Sequence, residues 1–238
     1  MAKEIKPQQG SQTVTGTGPS AVAAFLDAVN AMPTVAAGGR GKLVIALDAT
    51  MSRQPTWDLA CTLQADMFRT AAAIGGLSIQ LVYFRGLAEC RASRYVSDPH
   101  ELSAMMGKIR CEGGQTQIGR VLDHLRDAAT RDGVRAFVYV GDAMEESADA
   151  LLARAGEIGL LGLRGFIFQE GHDPHAERIF REIARLTGGA YAHFDHSAPG
   201  LLAELLRAAA AYAAGGRDAL LKLAQPGGAG HALLKQLR

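Results

Sequence analysis

Asp48, Thr50 and Ser52 place one carboxylate and two hydroxyls at spacing two, directly after five apolar residues, Leu43-Val44-Ile45-Ala46-Leu47. These are hard oxygen donors, the kind that Mg²⁺ and Mn²⁺ prefer. Two further stretches offer the same chemistry. Thr116 follows Gly113-Gly114-Gln115, and Asp142 follows the run Ala136-Phe137-Val138-Tyr139-Val140-Gly141. An unbroken apolar run suits a strand covered on both faces. Open α/β sheets bind ligands past the carboxyl ends of their strands, where the strand order reverses. If the two apolar strands are neighbours at that point, all five side chains converge on one crevice. Two carboxylates, three hydroxyls and water then complete a six-oxygen shell. The plain alternative is that Asp, Thr and Ser here serve as turn and helix-cap residues, because a D-x-[ST]-x-S string alone is common.

The elements needed to position these donors can be read along the chain. The 238 residues fit one α/β domain with extensions. Residues 1–41 read as a flexible polar segment carrying a short helix, with Val22, Phe25, Leu26 and Val29 on one face. Residues 42–214 form the α/β domain. Strands are expected over residues 43–47, 77–84, 136–140, 163–168 and 190–194, with a solvated edge strand over 89–93. Helices are expected after Pro55, from Asp98-Pro99, after Thr116, and after Ser147, Asp173-Pro174 and Ser197, with Ser147, Asp173 and Ser197 as caps. Gly75-Gly76 and Gly188-Gly189 end two of them. This alternation predicts a doubly wound α/β fold, Rossmann-like, with a mainly parallel central sheet, one antiparallel edge strand and helices on both faces. Residues 215–238 read as an amphipathic tail of two short apolar segments, which either packs on the domain or binds a partner.

Composition narrows the function classes. Net charge is +1, and no basic run carries interleaved aromatics, so no nucleic-acid surface is expected. No apolar stretch is long enough to span a bilayer, and the first residues lack the apolar core of a secretion signal. Cys61, Cys90 and Cys111 are odd in number and widely spaced, which suits a reducing interior. A cytoplasmic protein is expected.

Taken together, Asp48-Ala49-Thr50-Met51-Ser52, Gly113-Gly114-Gln115-Thr116 and Gly141-Asp142 resemble a von Willebrand factor type A (VWA) domain with its metal-ion-dependent adhesion site (MIDAS). The segment from Glu182 to Tyr191 is similar to the helix–turn–last-strand portion of these domains. The resemblance covers residues 42–212. It implies that the hydroxyls of Thr50, Ser52 and Thr116 bind the ion, with Asp48 and Asp142 acting directly or through water. It further implies that an acidic residue of a partner protein takes the open coordination position. The chain would then be an adaptor or assembly component, not an enzyme, and intracellular members of the family work beside ATPases or chaperone-type machines. Two departures stand out. Thr50 occupies a position that is usually Ser, and Asp142-Ala143-Met144-Glu145 replaces the commoner Asp-Gly turn. A metal-independent scaffold of the same fold is the alternative within binding proteins.

Other groups in the sequence offer competing chemistry. Paired acids at two strand ends suit a metal-dependent phosphoryl hydrolase, but the site shows no assigned nucleophile, base or cationic clamp. No Walker lysine or nucleophile elbow is present in the sequence. His172, His175, His193 and His196 form a second metal site only if three or four of them converge. Cys61 reads as a buried small residue, and Cys111, beside the glycine loop, as the more accessible thiol.

Overall fold

The computed structural model describes residues 40–194, 199–223 and 228–237. The chain separates into two units, Met1–Thr34 and Val35–Arg238, and the described residues belong to the second. The expected helix within residues 1–41, the expected cap Ser197 and His196 lie outside them.

The central strand β1 (Gly41–Asp48) carries the Leu43–Leu47 run. A short 3-10 turn (Met51–Arg53) leads from it into α1 (Gln54–Ala72). Then follow β2 (Leu77–Arg85), β3 (Glu89–Ala92), α2 (Pro99–Met106), α3 (Ile118–Asp132) and β4 (Ala136–Gly141). The chain continues through α4 (Ala148–Leu160), β5 (Arg164–Glu170), α5 (Pro174–Leu186) and β6 (Ala190–Phe194). It closes with α6 (Pro199–Leu223), broken at Gly215 and Gly216, and α7 (Ala229–Gln236). The sheet order is β3-β2-β1-β4-β5-β6. All pairs are parallel except β2–β3, which makes β3 the antiparallel edge.

The apolar run of β1 has a direct packing cause. Leu43, Ile45 and Leu47 face a core made with α1, α2, α6 and α7, whereas Val44 and Ala46 face one made with α3, α4 and α5. With helices on both faces, every position from Leu43 to Leu47 is apolar, and Lys42 and Asp48 fall at the two ends of the strand. Burying each large aliphatic side chain contributes about 1.5–3 kcal/mol. The tail joins the first of these cores: Leu220, Leu233, Leu234 and Leu237 are buried in it, while Leu221 and Leu223 remain exposed.

Glycine punctuation works as expected at two helix ends. Gly76 N–H donates to the Ala71 carbonyl after α1, with φ of 87°. Gly188, at φ 59°, precedes Gly189, whose N–H donates to the Ala184 carbonyl after α5. Asp98 and Asp173 accept backbone N–H groups as caps. Ser147 does not: it occupies the position before α4, but its side chain makes no capping bond. Its neighbour Glu146 caps a different helix. The Glu146 carboxylate accepts from Ile118 N (2.6 Å) and Gly119 N (2.8 Å), the first amides of α3. The flanking residue Gln117 makes no cap of its own: its Nε2 donates to the carbonyls of Arg85 and Gly86, and its Oε1, the atom a cap would use, accepts from Arg120 Nη1.

Candidate metal centre

Strand order reverses between β1 and β4, and their register ends at Leu47 opposite Val140. Asp48 and Gly141 therefore stand one step further along, with Asp142 just beyond. Asp48 is 3% exposed. Its Oδ1 accepts from Thr50 N at 2.8 Å, which bends the chain off the strand. Thr50 Oγ1 lies 3.4 Å from Ser52 Oγ, and Ser52 Oγ donates to Asp142 Oδ2 at 3.2 Å. These four residues thus form one hydrogen-bonded chain across two strand ends. Thr116 is held differently. Its Oγ1 accepts from Glu145 N (3.1 Å), and its own N–H donates to Glu145 Oε2 (3.2 Å). All five expected donors line one cleft of about 220 Å³, together with Met51 and Glu145.

The cleft walls are stitched to the sheet. Ala49 N donates to Phe84 O (3.0 Å), Glu112 N to Ala49 O (3.0 Å) and Gln115 N to Gly86 O (3.1 Å). Gly114 approaches the Gly86 carbonyl so closely that a Cβ would collide with backbone atoms, whereas a Cβ at Gly113 would meet open space. Gly141 has a similar role, because a Cβ there would strike the ring of Tyr139.

Electrostatics mark Asp48. Burial pushes its pKa up to about 6; the Asp142 carboxylate adds to this, while the Thr50 hydrogen bonds and the Arg53 charge oppose it. Its Oδ2 is buried without a hydrogen-bond partner among the described residues. Such an atom is costly unless something satisfies it, and a proton or a cation does so. The donor set is two carboxylates and three hydroxyls, all hard oxygens, so the residues present fit a small divalent cation.

Several contributors were invisible to local pattern reading. Arg53, 2% exposed, donates through Nη1 to Glu170 Oε2, to which Thr56 Oγ1 also donates. Glu145 and Glu146 brace the loop that carries Thr116 and the helix after it. A charged residue beside a buried strand end signals that a partner must exist, but not which one. Cys111 departs from expectation. It is buried rather than accessible, and burial pushes its thiol up to about 11. The bond from Glu112 N to Ala49 O tucks this start of the glycine loop against the sheet. Cys61 is half-buried, its thiol likewise pushed up to about 11 by burial.

Of the histidines, His172 and His193 stack at 4.5 Å between ring centroids, with His193 Nε2 2.6 Å from the Gly171 carbonyl. His175 lies in the first turn of α5, its N–H donating to Asp173. Among the described residues, no group of three or more His, Cys, Asp or Glu side chains is arranged to hold a metal. A cation in the cleft therefore depends on the hydroxyls as well as the two acids.

The sequence matches no family model and no curated protein. Solved structures do match. The SpRpn10 VWA domain superposes with a TM-score of 0.54 at 11% identity, covering 71% of this chain and 98% of that one. An aerotolerance-related membrane protein from Bacteroides fragilis gives a TM-score of 0.51 at 20% identity, covering 70% and 98%. Proximal thread matrix protein 1 from the mussel byssus, with a zinc-occupied MIDAS motif, gives 0.54 at 15% identity, covering 73% of this chain and 46% of that one. The chain therefore has the fold of a von Willebrand factor type A domain.

Proposed function

We propose that this chain is a cytoplasmic protein-binding adaptor, not an enzyme, that holds Mg²⁺ or Mn²⁺ with Asp48, Thr50, Ser52, Thr116 and Asp142. The observation that carries this reading is the Oδ2 of Asp48, buried and without a hydrogen-bond partner among the described residues, in a cleft lined by the other four proposed ligands and by Glu145. When bound, the cation supplies a positive centre that an acidic residue of a partner protein can complete. The chain's own groups do the rest. Asp48 and Asp142 supply the charge, and the three hydroxyls fix the position. Met51, 62% exposed, lines the cleft, and Leu87, 79% exposed, sits on the turn that abuts the Gly114 wall. Large apolar side chains beside a polar centre suit a protein contact.

Among the described residues lining the cleft there is no Lys, Arg, His or Cys, which supports binding over turnover. The three free thiols support a reducing compartment. Among the described residues, no helix is long and apolar enough to cross a membrane. By family analogy the partner is an ATPase or chaperone-type machine. A metal-independent scaffold is the second reading; it draws on Thr116, whose hydroxyl already accepts from Glu145 N.

Proteins co-purifying with the immobilised chain in Mg²⁺ test the proposal. The same partner should be lost in EDTA and with Asp142→Ala, while the melting curve of the metal-free variant stays close to wild type. Retention in EDTA would favour the scaffold, and metal-dependent phosphate-ester hydrolysis lost in Asp48→Ala would favour an enzyme. Thr50 offers a finer check. Thr50→Ser keeps the oxygen and should keep cation binding by calorimetry. Thr50→Val keeps the branched shape but not the oxygen, and should lose it. Equal affinity in both variants would remove Thr50 from the ligand set.

A further inference from the structure

We infer that Arg53 and Glu170 together set the charge that a divalent cation meets in the cleft: Arg53 opposes the ion, and Glu170 cancels that opposition. The inference rests on the cation reading above and concerns two residues outside the ligand set. Arg53 ends the 3-10 turn that contains Ser52, and its N–H donates to Thr50 O at 3.0 Å. Its guanidinium is withdrawn from water, so solvent screens its field poorly. The Asp48 carboxyl, the Tyr139 hydroxyl and the Cys111 thiol all feel that positive charge.

Glu170 is the last residue of β5. The register pairs Gly141 with Gln169, so Glu170 stands level with Asp142 on the neighbouring strand. Arg53 thus reaches from the β1 loop past the end of β4 to an acid on β5. Alone, a buried guanidinium one residue from Ser52 would repel a dication. Paired with Glu170, and with Thr56 sharing the same carboxylate oxygen, it adds little net charge while tying the ligand-bearing turn to the sheet.

An electrostatic pair and a purely structural tether make opposite forecasts. For a tether, either single substitution loosens the turn, and both weaken cation binding. For a charge pair, the two singles move affinity in opposite directions. The test is calorimetric titration of the full chain with Mn²⁺, alongside thermal melts, for wild type, Glu170→Gln, Arg53→Met and the double variant R53M/E170M. Removing the acid should weaken Mn²⁺ binding about ten-fold, and removing the guanidinium should tighten it about three-fold or more. The double variant removes no net charge and replaces a buried pair by apolar groups of similar reach; it also takes the acceptor from the Thr56 hydroxyl, which lowers its melting temperature, and it should bind within about three-fold of wild type. The sign for Arg53→Met decides: tighter binding supports the charge pair, and unchanged or weaker binding overturns it; if that variant fails to fold, Arg53→Gln, which removes the charge but keeps a polar group, takes its place. Weakening in both singles, or a loss beyond about ten-fold in the double variant, overturns the inference while leaving the cation site standing. A wild type that binds no Mn²⁺ defeats the cation reading itself and takes this inference with it.

Discussion

Asp48→Asn is expected to abolish the rise in melting temperature that Mg²⁺ produces in the wild type, and to flatten the pH dependence of the metal-free protein near pH 6. The two effects share one cause. Burial pushes the Asp48 carboxyl up to about 6 in the folded state, against its ordinary value of 3.8. Below pH 3.8 the group is protonated in both states and costs nothing. Between 3.8 and about 6 the folded chain retains a proton that the unfolded chain releases, so stability falls as pH rises. Above about 6 the full cost remains, roughly 3 kcal/mol for a shift of about two units. Without metal, the wild type should therefore gain stability from this group on moving from pH 7.5 to pH 5, and Asp48→Asn should not. Glu89, Asp132 and Glu182, whose pKa values are lowered chiefly by hydrogen bonds from arginines, act in the opposite sense in more acidic solution. The difference between variant and wild type isolates Asp48.

Saturating Mg²⁺ reverses the wild-type profile, because the ion competes with the proton for the carboxylate. At about 100 times Kd the ion adds about 2.7 kcal/mol. For a domain of this size that is a shift of about 5–10 °C. Thermal melts at pH 5 and pH 7.5, with Mg²⁺ and with EDTA, provide the readout. A pH-independent Mg²⁺ response, or one retained in Asp48→Asn, would contradict the assignment.

Gly114→Ala is expected to reduce cation affinity about 10–100-fold, whereas Gly113→Ala leaves it unchanged. The two glycines are adjacent, and neither has a left-handed φ. Only Gly114 meets backbone: its added methyl would collide with the Gly86 carbonyl, which accepts from Gln115 N. The wall carrying Thr116 must then move away from the β2–β3 turn. Overpacking of this kind costs about 1–3 kcal/mol, so the fold survives while the cleft changes shape. Calorimetry on both variants decides the matter. Equal affinities would mean that the close approach of these two loops does not shape the site.

The contrast between these glycines shows what a single sequence carries. Their presence marks a tight loop, but which of them touches a neighbouring turn depends on an element nearly thirty residues earlier. The apolar runs of β1 and β4 were legible because burial on both faces removes every polar position from a strand. Asp48, Thr50 and Ser52 were legible because they lie within one turn of the chain. Thr116 and Asp142 come from loops far along the chain, and their union with the first three depended on the adjacency of β1 and β4. The resemblance implied that adjacency, and local periodicity could not have supplied it.

Where the partner of a group is set only by tertiary structure, sequence reading failed. Ser147 has the chemistry of a cap and the right position, yet Glu146 beside it does the capping, on another helix. Arg53 and Glu170 are 117 residues apart. Cys111 reads as a loop thiol until the loop is seen folded against Ala49.

One divalent cation is expected to bind at the carboxyl ends of β1 and β4. Anomalous diffraction from crystals of the protein soaked in about 10 mM Mn²⁺, well above the Kd expected of a specific site, tests it most directly. A single strong peak bounded by Asp48, Thr50, Ser52, Thr116 and Asp142, absent in Asp48→Asn crystals, is the predicted result. An empty cleft at that concentration, or a peak at the stacked pair His172 and His193 instead, would contradict it.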